Sequence, residues 1–244
     1  MNEALLYILL PLIAFIYASV GHGGASSYLF CLALAGFLPA QIRPTALILN
    51  MLVAGVAFFS YQKACIFPTR LFIGLIIFSV PAAYLGGMLN IPTPLYKQIL
   101  GFVLLFPALR FFRLERSSAQ TPIIKMNAVV IALLGLMIGF VSGLIGIGGG
   151  IILSPILLLL GWANAKETAA LSALFIFVNS LSGFIGMQGW EAILPPSFYY
   201  FLPLTLAGGW LGAYLGAFHW KMQSIKVALG IVLLVAATKL LFFP

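Results

Sequence analysis

Two clusters of glycine hold the chemistry this chain has to offer. Gly21, Gly23 and Gly24 surround His22 in GHGGASS, and Gly146, Gly148, Gly149 and Gly150 lie within GLIGIGGGIILSP. Glycine weakens a helix by about 1 kcal/mol per residue against alanine, so four in five positions should end one helix and start another near Ile151. A restarted helix leaves its first N–H groups free and aims the positive end of its dipole at what precedes it. Where that backbone lines a protected cavity it makes an anion seat; otherwise it is a hinge, and both readings stay open. Neutral donors that would complete such a seat are Ser26, Asn50, Ser172 and Asn179, with Asn50 and Ser172 at similar depths in the two halves of the chain. His22 either titrates and helps hold an anion or carry a proton, or acts as a neutral donor to a backbone carbonyl. Ile147 occupies its place in the second cluster.

Other chemistries lack their parts. GIGGG follows no strand and leads to no Gly-Lys-Ser/Thr, which excludes a phosphate loop, and no acid stands about 20 residues on to take a ribose. The acids Glu3, Glu115, Glu167 and Glu191 all fall at segment ends or in loops, so there is no paired-carboxylate site and no acidic cation site at membrane depth. Cys31 and Cys65 have no metal-ligand spacing and read as packing. The expectation is a protein that is not an enzyme, with no metal and no cofactor.

The elements that must position the glycines are apolar. The chain is 63% hydrophobic and 7% charged, with a mean hydropathy of +1.18. That excludes an ordinary soluble domain and points to an all-α, polytopic membrane protein. Apolar segments run over 4–20, 25–38, 45–61, 71–89 and 98–112, then 127–145, 150–162, 169–188, 198–217 and 225–242. MNEALLYILL has no basic leader region and carries Glu3, so it reads as the first membrane segment. Gly135, Gly139 and Gly143, like Gly208, Gly212 and Gly216, recur every four residues, the spacing of close helix packing.

A repeat emerges on shifting the chain against itself. A shift of 125 places Gly21, Gly23 and Gly24 on Gly146, Gly148 and Gly149. A shift of 126 places Leu85 and Gly86 on Leu211 and Gly212, and one of 129 places KQILGFVLL on KVALGIVLL. Five crossings per half make the halves inverted. Counting Lys and Arg between crossings then gives a split of 9 to 3, against 7 to 5 for four crossings per half. The reading is a first membrane repeat over 1–112, a cytoplasmic linker over 113–125 and a second repeat over 126–244, with both termini outside and 8 to 10 membrane segments. The net charge of +8 belongs to loops that set topology, and no basic face with interleaved aromatics supports nucleic-acid binding. Segments 25–38 and 150–162 would reach only about 20 Å as helices, short of the ~30 Å hydrocarbon core, and so are expected to start inside the membrane. Short, glycine-interrupted segments at matching places in two repeats point to a transporter's binding site.

The stretches GLIGIGGGIILSPILLLLGW and KETAALSALFIFVNSLSGFIG resemble the second half of the TauE/SafE, or sulfite exporter, family. GHGGASSYL, RPTALILNMLVAG, Tyr84-Leu85-Gly86-Gly87 and Tyr214-Leu215-Gly216 extend the resemblance over nearly the whole chain, although Ala25 and Phe30 stand where the second repeat has Gly150 and Pro155. The resemblance implies a multi-pass protein of the bacterial inner membrane that moves sulfite, sulfonates or related small anions. Its expected partners are a small sulfur-containing or carboxylate anion and the lipid bilayer. An anion channel and a membrane subunit without transport activity remain as alternatives, and a homodimer is among the open assemblies.

Overall fold

The computed structural model describes residues 3–89, 126–188 and 194–221, with single positions 224, 227, 230, 231, 234 and 238 beyond them. The segment expected over 98–112 and the linker over 113–125 lie outside the described residues, as does nearly all of 225–242. Every regular element described is helical. A short 3-10 turn, Glu3–Leu5, leads into α1 (Leu6–Ala18), α2 (Ala25–Leu34), α3 (Pro39–Tyr61) and α4 (Thr69–Met88). The second half repeats the series as α5 (Ala128–Ile145), α6 (Gly150–Leu160), α7 (Ala165–Gly186) and α8 (Phe198–Tyr214), the last running on as a π turn over Leu215–His219. This is an all-α, polytopic membrane architecture. Among the described residues five helices are long and apolar enough to cross a bilayer: those within α3, α4, α5 and α7, and α8 with its π turn. The half-helices α2 and α6, with 10 and 11 residues, reach only about 15 to 17 Å.

Local chemistry sets the ends. Both breaks are built on left-handed glycines, with Gly24 (φ 97°) and Gly149 (φ 72°) preceding α2 and α6. Helix α7 begins four residues before the apolar segment because Asn164 caps it. The Asn164 side chain accepts from the amides of Lys166 and Glu167, and the Glu167 carboxylate accepts from the Asn164 amide at 2.9 Å. Asn164→Ala is expected to lower stability by about 1 kcal/mol, read as a fall in thermal midpoint of the detergent-solubilised protein. Helix α3 likewise starts early, with Pro39 in its first turn where a missing N–H does no harm. Arg43, which the topology count assigns to a loop, therefore lies inside α3.

Glycines pack the helices to backbone contact. A β-carbon on Gly135, Gly139 or Gly143 would overlap main-chain atoms of Leu75, Ser79 or Ala83, so α4 and α5 run side by side in the same direction. Gly208, Gly212 and Gly216 bear in the same way on Pro11, Phe15 and Ser19, aligning α8 with α1. Gly86 against the Phe140 carbonyl and Gly212 against the Phe15 carbonyl are the same contact seen twice, at the shifts of 125 and 126 that relate the halves. Several element pairings recur when the halves are exchanged: α4 with α5 matches α8 with α1, α4 with α7 matches α8 with α3, and α2 with α3 matches α6 with α7. Outward faces are as apolar as the core. On α1, Ile8, Leu12 and Ile16 are exposed while Leu6, Leu10 and Ala14 are fully buried, as a lipid-facing helix requires.

Candidate functional site

Both half-helices begin beside one small cavity. Its walls come from Tyr17, His22, Gly23, Gly24, Ala25, Ser26 and Asn50 of the first half, and from Ile147, Ile151 and Ile176 of the second. The free volume is about 10 Å³, room for roughly one water molecule. Ala25 opens α2 and Ile151 stands at the start of α6, so the positive ends of two helix dipoles converge on this space. The lining residues include no carboxylate.

Asn50 ties the site together. Its side-chain oxygen accepts from the Ala25 amide at 3.0 Å, and its amide nitrogen donates to Ser180 Oγ of α7 at 2.9 Å. Gly23 has no room for a side chain because a β-carbon would overlap the Asn50 side chain and carbonyl. On the facing side the Tyr17 hydroxyl lies 3.0 Å from Ser27 Oγ and 3.4 Å from Ser26 Oγ. The Tyr28 hydroxyl, fully buried and without a partner among the described residues, packs against Gly24 at the α2 N-terminus.

His22 is held by both ring nitrogens. Nδ1 lies 3.1 Å from the Val20 carbonyl, which can only accept, so Nδ1 carries the proton. Nε2 lies 3.2 Å from Ser154 Oγ, and Ser154 is 2.7 Å from Ser172 Oγ. The Nδ1 contact sets His22 against a backbone carbonyl. The Nε2 contact links the first loop to α6 and, through Ser172, to α7.

Of the residues expected at the site, the structure brings His22, Gly23, Gly24, Ser26 and Asn50 to the cavity wall. Ser172 reaches it through Ser154 and His22. Gly21 packs on the backbone of Ala169 instead. Gly146 lies against Arg43 and Leu47, Gly148 fits between Asn50, Ile176 and Ser180, and Gly149 meets Phe175, Ile138 and Ser142. Gly150 packs on Ile176. The second glycine loop thus presents Ile147 and Ile151 to the cavity and keeps its glycines in packing contacts. Asn179 faces away, donating to the Phe175 carbonyl at 2.9 Å.

Tyr17, Tyr28, Ser154, Ser180 and Arg43 complete the surroundings. The two tyrosines were hidden inside apolar segments, and the serines stood among many polar residues with nothing to rank them. Arg43 Nη2 donates to the carbonyls of Gly143 and Leu144 at 2.8 and 3.1 Å, fastening α3 to the last turn of α5 beside the second break. At the shift of 126 its counterpart is Ala169, so the two breaks differ in charge as well as in lining.

The family model described as "Sulfite exporter TauE/SafE" matches residues 6–240. The chain is 37% identical, over 94% of its length and 94% of the relative's, to the probable membrane transporter protein y4hK of Sinorhizobium fredii. A stretch covering 43% of the chain is 33% identical to the probable membrane transporter protein YunE of Bacillus subtilis, of which it spans 38%. Another, covering 24% of the chain, is 36% identical to 13% of the sulfite exporter TauE/SafE family protein 1 of Arabidopsis thaliana. No solved structure matches the chain.

Proposed function

The chain belongs to the sulfite exporter TauE/SafE family, and on that premise we propose that it carries a small anion (sulfite, a sulfonate or a related organosulfur or carboxylate anion) out across the bacterial inner membrane. The observation that carries this reading is the meeting of two half-helix N-termini at a cavity lined by hydroxyl, amide and imidazole groups and by no carboxylate. Such a lining stabilises a negative charge through oriented N–H dipoles without needing a metal or a fixed cation.

In this proposal residues 1–112 and 126–244 are inverted repeats joined by a cytoplasmic linker over 113–125, with both termini outside. The helix directions support it. Helix α1 runs with α8 and α4 runs with α5, and the Ser182 hydroxyl on the Val80 carbonyl with Gly186 on Tyr84 sets α7 alongside α4 in the same sense. Along the contact of α3 with α7, Asn50 meets Ser180 and Gly55 meets Phe177, so this matched pair runs in opposite senses, as the proposal requires. A cavity with room for about one water is too small for a polyatomic anion, so binding requires the halves to part. Alternating access follows from rocking one half against the other around the shared loops. An anion leaving a cell that is negative inside gains about 2.3 kcal/mol per charge per 100 mV, so export needs no coupled ion.

The test is flux through the purified protein in liposomes. Sulfite efflux is expected to saturate with concentration, to rise with an outward-favouring potential, and to show counterflow of labelled against unlabelled anion. Ohmic current without saturation would make the protein a channel. Absence of flux for sulfite, thiosulfate, sulfonates and small carboxylates alike would leave it a subunit without transport of its own and end the proposal.

A further inference from the structure

Arg43 stands inside a membrane helix and holds on to the other half of the protein. It lies in the second turn of α3, within the stretch Gln41–Tyr61 that is long and apolar enough to cross a bilayer. A charge at such a place is costly and marks a pathway or a moving part. Its Nη2 donates to the Gly143 carbonyl at 2.8 Å and to the Leu144 carbonyl at 3.1 Å, in the last turn of α5. Helices α3 and α5 do not pack along their lengths, so the side chain bridges a gap between the halves.

The second glycine loop lies along one face of α3. Residues 43, 47 and 50 fall at i, i+4 and i+7, which share a face. A β-carbon on Gly146 would lie 3.4 Å from Arg43 Nε and from Leu47 Cγ, and one on Gly148 would run into the Asn50 amide nitrogen. Between these two contacts Ile147 turns into the cavity. The loop thus follows α3 from Arg43 to Asn50, about 10 Å along the helix, on the side of the cavity where α3 begins. The first break is held differently. A β-carbon on Gly21 would overlap main-chain atoms of Ala169, and the Ser19 carbonyl accepts from the Tyr61 hydroxyl of its own half. Ala169 is the residue that matches Arg43 at the shift of 126. Rigid backbone contact therefore closes the first break, whereas the atoms facing Gly146 belong to side chains, which can swing away.

We infer that Arg43 is a latch between the halves: its guanidinium pins the second glycine loop against α3, and its release opens the cavity toward the end of α3 at Pro39. Arg43 is not among the residues that line the cavity, so it acts as a positioning residue, through the two carbonyls that it holds. Those carbonyls belong to the last turn of an interrupted helix, where the backbone supplies no partner of its own. The inference rests on the transport reading, in which the halves must part for an anion to enter or leave, and it names the contact that yields and the side on which it does so.

Sidedness of thiol labelling tests the latch without any substrate. Ile147→Cys, in a full chain with Cys31 and Cys65 replaced by alanine, reports on the cavity wall, and Leu38→Cys in the same background marks the face at which α3 begins. Both are treated with a membrane-impermeant thiol reagent in vesicles of each orientation. Arg43→Gln is expected to speed labelling of the Ile147→Cys chain about tenfold from the face that labels Leu38→Cys, and to leave labelling from the other face unchanged or slower. Arg43→Lys, which keeps the charge and one donor, should give a smaller rise on the same face, and this variant decides the matter if Arg43→Gln does not fold. Equal labelling with and without Arg43 would overturn the latch. So would an equal rise from both faces, the mark of general loosening, or a rise confined to the opposite face. One-sided labelling in a protein that shows no anion flux would count against the transport reading and keep the latch.

Discussion

Replacing Asn50 by aspartate is expected to leave the protein folded while reducing anion transport on the order of 100-fold. The substitution is close to isosteric. A carboxylate oxygen can still accept from the Ala25 amide, and the second oxygen can accept from the Ser180 hydroxyl, so both links made by Asn50 survive with one donor reversed. What changes is charge. Asn50 lines the cavity, and a carboxylate about 5 Å from a bound anion repels it by roughly 3 kcal/mol at an effective dielectric of about 20, which is on the order of 100-fold in affinity. The loss should appear in the concentration needed for half-maximal flux, with the helical signal and thermal midpoint near those of the parent. A variant that transports with parental affinity would mean that the anion does not pass this cavity.

Gly212→Val and Gly86→Val are each expected to destabilise the protein by about 3 kcal/mol, and by similar amounts. At both positions the new β-carbon would overlap a main-chain carbonyl, of Phe15 and Phe140 respectively, and no side chain stands between them to yield. The helix pair must separate along its length, which places these variants at the severe end of overpacking. The thermal midpoint should fall by roughly 6–12 °C in each case. Gly55→Ala is the contrast, because its β-carbon would meet only the Phe177 ring, at 3.3 Å, and the ring can shift. That variant should lose less than about 1 kcal/mol, the order of the helix-packing change alone. Unequal effects at Gly212 and Gly86, with one silent, would refute the view that they are the same contact in two repeats.

Most of the helices were legible without coordinates. Segment 127–145 becomes Ala128–Ile145, 150–162 becomes Gly150–Leu160 and 71–89 becomes Thr69–Met88. Where the ends differ, polar chemistry rather than hydropathy decides them, as the Asn164 cap does for α7. The glycine ladders were legible for the same reason: spacing of four on a helix admits only one face, and close packing is what a bare face permits. His22 was recognisable as unusual, but its partners were not, because the Val20 carbonyl and Ser154 lie on opposite sides of the interface between the halves.

The division of labour between the loops shows where such reading stops. The denser glycine cluster, Gly146 to Gly150, looked the stronger seat, yet the cavity is lined mainly by the sparser first loop, and the second turns isoleucines toward it. Asn179 and Ser180 are neighbours in the chain but about 100° apart around α7, so one donates to the Phe175 carbonyl of its own helix while the other bonds Asn50. Which residue faces which way depends on helix rotation and register. In a soluble protein hydropathy sets both, because one face must avoid water. Here lipid and core are equally apolar, so hydropathy marks where each helix runs and where it breaks, and is silent on how it is turned. Composition, periodicity and the internal shift therefore sufficed for an all-α membrane chain with matched breaks. Only the packed structure, through backbone contacts at glycines and a few buried hydrogen bonds, decided which polar groups meet.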